Sequence, residues 1–206
     1  MVKSVVSAME IGLYGGTFDP VHNVHIELAY SALKHANLST IIFVPAGIPP
    51  HKKGQVFASA EDRFNMLSLA TKNEPKFTVS RFEIDSKNPS FTINTVEHIS
   101  NIYPNARICL IAGLDTLVDI PNWYHADKLI EKVHSFLVAN RPNSSMKKIS
   151  PKILSKTIWL PFEPKNIASH QIRLLIQQGK DIKDFVPPAV ERYIYEHGIY
   201  KNKKRN

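Results

Sequence analysis

The chain has 206 residues, 43% hydrophobic and 21% charged, with 26 Lys+Arg against 18 Asp+Glu and a formal net charge of +8. That length supports one sizeable core, and that composition excludes a disordered chain. Cys109 is the single cysteine, which excludes an intrachain disulfide and a cysteine-based zinc cluster. The opening MVKSVVSAME is too short and too weakly apolar for a signal peptide, and no apolar run approaches a membrane span, so the expected location is cytoplasmic with no membrane partner. The terminal KNKKRN adds Lys201, Lys203, Lys204 and Arg205 to the positive balance. A solvated end accounts for it, and without interleaved aromatics it does not read as a nucleic-acid-binding segment.

Apolar strand-like runs alternate with segments of helical period. EIGLYG reads as the first strand. VHIELAYSALKHA follows as a helix with Ile26, Ala29, Tyr30 and Leu33 on one face. STIIFVPA is apolar on both sides, as a buried parallel strand is. SAEDRFNMLSLATK carries a Ser59 cap signal and an apolar face through Phe64, Met66 and Leu67. KFTVS reads as a strand, FTINTVEHISNIY as a helix, ARICLIAG as a strand, WYHADKLIEKV as a helix, and SFLVAN and KTIWLP as strands. SHQIRLLIQQG is a helix stopped by Gly179, and PPAVERYIYEHG a helix with proline at its start and Gly198 at its end. This order predicts an α/β fold, doubly wound, with a mostly parallel sheet and helices on both faces. Residues 1–206 read as one domain, with 1–9 a short extension and 201–206 a basic tail. Ligands of such sheets bind beyond the carboxyl ends of the strands. The irregular segments to search are therefore Gly15–Val21, Ala46–Ala58 and Gly113–Asn122.

GLYGGTFDPVHNVH, at Gly12 to His25, stands in such a place. Gly15 and Gly16 let a ligand approach the backbone with no Cβ in the way. His22 and His25, three residues apart at a helix start, point to one side. Imidazoles, free N–H groups and the positive end of the helix dipole make an anion site, with phosphate the expected anion. The spacing is neither that of a P-loop nor that of a dinucleotide fingerprint. Zinc is a competing reading, but no third ligand is evident.

GGTFDPVHNVH resembles the first signature of the nucleotidylyltransferase superfamily, a Gly-Thr-Phe-Asp-Pro run followed by His-x-Gly-His. The resemblance extends over nearly the whole chain and points to the bacterial nicotinate-nucleotide adenylyltransferases, whose fold is Rossmann-like. FVPAGIPPHK, EDRFNML, PSFTINT, LIAGLD with NWYHADKLI, FLVANRPN, NIASHQIR and FVPPAVERYIYEHGIY resemble that family's later segments in order and spacing. Departures are Val24 for the glycine of His-x-Gly-His, Phe91 for Tyr, Asn94 for Asp, and Ala168 and His170 for a Ser and the Thr of the second signature.

The resemblance implies transfer of AMP from ATP to nicotinate mononucleotide, giving deamido-NAD and pyrophosphate in NAD biosynthesis, with Mg²⁺ arriving on the ATP phosphates and no resident metal held by side chains. It implies that His22, His25 and Arg173 act at the triphosphate. Gly15, Gly16, Thr17, Phe18, Asp19, Lys52 (or Lys53), Gly113, Asp115 and Ser169 would contact ATP, with Asp115 on the ribose. Thr92, Trp123 and Tyr124 would receive the acceptor, the indole by stacking. Alternatives are a nucleotidylyltransferase for nicotinamide mononucleotide or a phosphopantetheine-type acceptor, and an inactive relative that keeps the nucleotide pocket.

Overall fold

A computed structural model describes residues 8–50, 55–139, 149–162 and 167–201. Among them, six strands form one sheet: β1 (Glu10–Gly16), β2 (Thr40–Pro45), β3 (Phe77–Val79), β4 (Arg107–Ala112), β5 (Ser135–Ala139) and β6 (Thr157–Leu160). Every pairing is parallel and the order is β3-β2-β1-β4-β5-β6. The chain winds outward from β1 to β3, then returns to the other side of β1 with β4. Connections therefore leave β1 and β4 in opposite directions, and the crevice beyond their carboxyl ends is where this architecture receives ligands. The doubly wound fold expected from the alternation is the fold observed.

The double-sided apolar strands follow from two cores. Ile11, Leu13, Ile42, Val44, Leu110 and Val138 point to one face. They meet Val96, Leu117, Leu129 and Ile153 of α3 (Thr92–Ile102), α4 (Leu114–Asp119), α5 (Ala126–Lys132) and α6 (Pro151–Leu154). Tyr14, Ile41, Phe43, Ile111 and Leu137 point to the other face. There they meet Ala29, Met66, Ile172 and Val190 of α1 (Asn23–His35), α2 (Ala60–Thr71), α7 (Ser169–Gln177) and α8 (Pro188–Glu196).

Helix ends obey local chemistry. The Ser59 hydroxyl accepts the Asp62 N–H at 3.0 Å and starts α2. Gly179 and Gly198 take φ of +69° and +62° after α7 and α8.

Three expectations need correction. The buried face of α1 is Leu28, Ala29 and Ala32, with Tyr30 exposed against Phe77; two alanines let the helix lie close to the sheet. Trp123–His125 precede α5 instead of opening it, because His125 sits in the left-handed region at φ 52°. Gly113–Asn122, expected to be irregular, folds into α4 and a 3-10 turn at Ile120–Asn122. Among the described residues no helix is long and apolar enough to cross a membrane.

The Lys156 ammonium donates to the carbonyls of Ile130 (2.7 Å), Val133 (2.7 Å) and Glu131 (3.2 Å) at the end of α5. It satisfies acceptors that a helix end leaves open and opposes the negative end of its dipole. Lys156→Met is expected to lower stability by about 1–2 kcal/mol, a fall in Tm of roughly 2–8 °C by calorimetry. An unchanged Tm contradicts this role.

Candidate active site

Two cavities open beyond the carboxyl end of β1, one of about 700 Å³ and one of about 240 Å³. Gly15, Gly16 and Thr17 border both, as do Ile111 and Ala112 at the end of β4 and Thr116 on α4. The strip Gly15–Thr17 is thus a partition they share, completed by the end of β4 and Thr116. A Cβ on Gly15 would meet nothing within 4 Å, so its surface is open to a ligand. A Cβ on Gly16 would stand 3.0 Å from the Phe18 ring. Phe18 has φ 51°, an unfavourable backbone for a bulky residue. Burial of its ring offsets this: it packs edge-on against Tyr14 (5.5 Å between centroids) and His25 (5.1 Å).

Asp19 comes next and is 4% exposed. Its carboxylate accepts the N–H groups of Phe57 (2.8 Å) and Ala58 (3.0 Å) and the hydroxyl of Tyr200 (2.7 Å). Burial pushes the Tyr200 hydroxyl up, so it remains a donor at neutral pH. The Asp19 main-chain carbonyl accepts from the Arg173 guanidinium at 2.7 Å. That guanidinium lies over the Phe57 ring, 4.2 Å from its centroid, and lines the larger cavity. Ser169 opens α7 beside it and donates its hydroxyl to the Pro20 carbonyl at 2.9 Å.

The histidines begin α1. Their rings stack at 3.7 Å, and the His22 N–H donates to Nδ1 of His25 at 3.2 Å. That bond leaves Nε2 of His25 as the N–H of a neutral ring. Burial pushes His22 down to about 4, so at neutral pH it is uncharged. Both rings border the larger cavity.

The smaller cavity is lined by Thr92 at the first turn of α3, by Trp123 and by Tyr124. The Trp123 indole N–H donates to Asp119 at 3.0 Å, which fixes the ring plane. Tyr124 stacks on Phe91 at 4.4 Å. Beneath lies Glu83, 8% exposed, which accepts the Thr95 hydroxyl. Burial pushes its carboxyl up, against the pull of the Thr95 and Ser90 hydroxyls and the Arg63 charge. Ser90 Oγ accepts the N–H groups of Gly47 (3.0 Å) and Ile48 (3.2 Å), tying the loop after β2 to the start of α3.

The structure brings Gly15, Gly16, Thr17, Phe18, His22, His25, Gly113, Ser169 and Arg173 to the larger cavity and Thr92, Trp123 and Tyr124 to the smaller one. Asp19 also borders the larger cavity, with both carboxylate oxygens engaged with the protein. One expected nucleotide contact has another placement. Asp115 is exposed on the first turn of α4 and borders neither cavity, since the helix turns Thr116 inward instead. Lys52 and Lys53 lie outside the described residues. Thr116, Phe57, Glu83 and the buried Arg63 were not singled out from the sequence. Phe57 stands in the irregular Ala46–Ala58 segment, and Arg63 in EDRFNML, which resembles the family's Arg-bearing helix but gives no sign that the arginine is buried.

Residues 13–175 match the family model described as cytidylyltransferase-like. A probable nicotinate-nucleotide adenylyltransferase of Clostridium tetani is 37% identical over 196 residues, covering 92% of this chain and 98% of the relative. One of Shouchella clausii is 38% identical over 190 residues, covering 92% and 96%. The chain belongs to the nicotinate-nucleotide adenylyltransferase family. The nicotinic acid mononucleotide adenylyltransferase of Plasmodium falciparum, solved in complex with NaAD, superposes with a TM-score of 0.74 at 23% identity, covering 93% of this chain and 97% of that one, and shares the fold.

For a member of this adenylyltransferase family, the departures fall in telling places. Val24 borders the larger cavity, half-buried. Ala168 caps α7 without a side-chain acceptor, and its N–H donates to Gln171 Oε1 at 2.8 Å. His170 is exposed at the rim of the same cavity. Phe91 keeps the aromatic stack, and Asn94 is exposed.

The His22 ring is expected to titrate near pH 4 by NMR, against an ordinary value near 6.5. Unfolded chains then bind a proton between pH 6.5 and 4 that the folded ring refuses. Stability is therefore full above about pH 6.5 and falls as pH drops through that window, by up to about 3 kcal/mol from this group. Urea denaturation should show a shallower acid loss for His22→Asn. Equal slopes, with a ring titrating near 6.5, contradict a dry neutral histidine.

Proposed function

We propose that this chain transfers the adenylyl group of ATP to nicotinate mononucleotide, forming deamido-NAD and releasing pyrophosphate. The observation that carries the reading is the pair of cavities sharing the Gly15–Thr17 partition. A donor on one side and an acceptor on the other meet above two glycines. The relatives' names and a structural neighbour complexed with NaAD support the same substrates.

ATP occupies the larger cavity in this assignment. Arg173, held by the Asp19 carbonyl and backed by Phe57, takes the β- and γ-phosphates together with the first N–H groups of α7. His25 offers Nε2–H, and His22 a neutral ring, at the α-phosphate. Mg²⁺ enters as part of the substrate, carried by the ATP phosphates. Nicotinate mononucleotide occupies the smaller cavity, its ring on Trp123 and beside Tyr124, its carboxylate at the Thr92 end of α3. An oxygen of its phosphate attacks the α-phosphorus. The P–O bond to the β-phosphate breaks, and pyrophosphate leaves with that electron pair. The nucleophile is already an anion, so no side chain need remove a proton. Catalysis is then positioning and charge stabilisation by fixed donors. We read residues 1–206 as one such catalytic domain.

The test is pyrophosphate release from MgATP with a panel of mononucleotide acceptors. Nicotinate mononucleotide is expected to exceed the nicotinamide form in kcat/KM by about a hundredfold or more, because an amide sets N–H₂ against N–H donors. His25→Ala is expected to lower kcat on the order of a hundredfold with little change in Tm. Comparable kcat/KM for both acceptors overturns the assigned acceptor, and no release with any acceptor overturns the transfer itself.

A further inference from the structure

Arg63 lies in the first turns of α2, is 1% exposed, and heads the fully buried side chains in size. A guanidinium in such a place is costly, and an apolar residue of similar volume would serve a core at least as well. Its partners are therefore informative. Nη1 donates to the main-chain carbonyl of Thr17 at 2.8 Å. Nε has no hydrogen-bond partner among the described residues. Two buried carboxylates act on its charge: Asp19, which borders the larger cavity, and Glu83, which borders the smaller. Arg63 thus stands behind the partition and is bonded to it through the Thr17 carbonyl.

The partition itself is light. Gly15 has open space where a side chain would stand, and Thr17 borders both cavities. Rotation of the peptides there would change the separation of whatever lies on either side. In-line transfer tolerates little of that, since a misplacement of about 1 Å can lower a rate on the order of a hundredfold. We propose that Arg63 is a positioning residue for adenylyl transfer: by holding the Thr17 carbonyl from the buried side, it sets the partition on which the donor and acceptor phosphates meet. It touches neither substrate. The inference rests on the assignment of ATP and the mononucleotide to the two cavities.

Arg63→Lys keeps the charge and loses the planar fork that reaches the carbonyl. The readouts are kcat, the Kd of ATP and the Kd of nicotinate mononucleotide, each ligand titrated alone by calorimetry, with Tm as the check on folding. The expected result is a kcat lower by about tenfold to a hundredfold, with both Kd values within about threefold of wild type. An unchanged kcat overturns the proposal. So does a loss of kcat matched by an equal weakening of both Kd values, because that is general damage to the site. Should Arg63→Lys fail to fold, Arg63→Met keeps the apolar stem and removes the donor to the Thr17 carbonyl, and the same outcomes are read from it. An inactive wild type takes down the functional assignment and this inference with it. An active wild type with unaffected variants takes down the inference alone.

Discussion

The Asp19 carboxylate accepts two backbone N–H groups from Phe57 and Ala58 and one hydroxyl from Tyr200, while its own carbonyl takes the Arg173 guanidinium. The loop after β1, the entry to α2, the first half of α7 and the segment after α8 are joined at this one residue. The first three of these wall the larger cavity. Bonds to a buried carboxylate are the strong kind, and removing the acceptor would leave buried donors unpaired at roughly 1–3 kcal/mol each. The geometry of the site therefore depends on a residue that spends its charge on the protein.

Around that anchor, the cavity presents donors more than mobile charge. Burial keeps His22 neutral, and the bond from the His22 N–H turns the Nε2–H of His25 outward. Arg173 is braced below by Phe57 and from the side by Asp19. Fixed donors need no reorganisation when charge moves along a phosphoryl group, which suits a reaction whose nucleophile arrives ionised. The acceptor side follows the same logic: Asp119 fixes the Trp123 plane, and Ser90 pins the loop at Gly47 and Ile48. A glycine is required at position 47, because a Cβ there would run into the Glu83 carbonyl.

Legibility in the sequence tracked the range of the interactions. Strands such as Thr40–Pro45 were readable because two cores demand apolar residues on both sides. The helix stops at Gly179 and Gly198 were readable because left-handed backbone is a local need. Short elements escaped: α4 and α6 carry too few residues for a period to show. The placement of His22, His25 and Arg173 at one cavity was anticipated, whereas the destination of the Asp19 carboxylate was not. Its hydroxyl partner stands 181 residues away in the chain, and nothing local announces it. Asp115 and Thr116 show a finer limit, because adjacent residues on a helix differ by about 100° in direction. EDRFNML resembled an Arg-bearing helix, but the burial of Arg63 beside Met66 and Leu67 was not legible, because a charge on an amphipathic helix reads as solvent-facing.

The central claim is that one strip of backbone divides the donor site from the acceptor site. A crystal structure of the chain with deamido-NAD tests it most directly. The expected result is a dinucleotide that straddles Gly15–Thr17, with its pyridine ring on Trp123, its adenosine in the cavity bordered by Val24 and His25, and its pyrophosphate over the two glycines. A dinucleotide lying wholly on one side of that strip would contradict it.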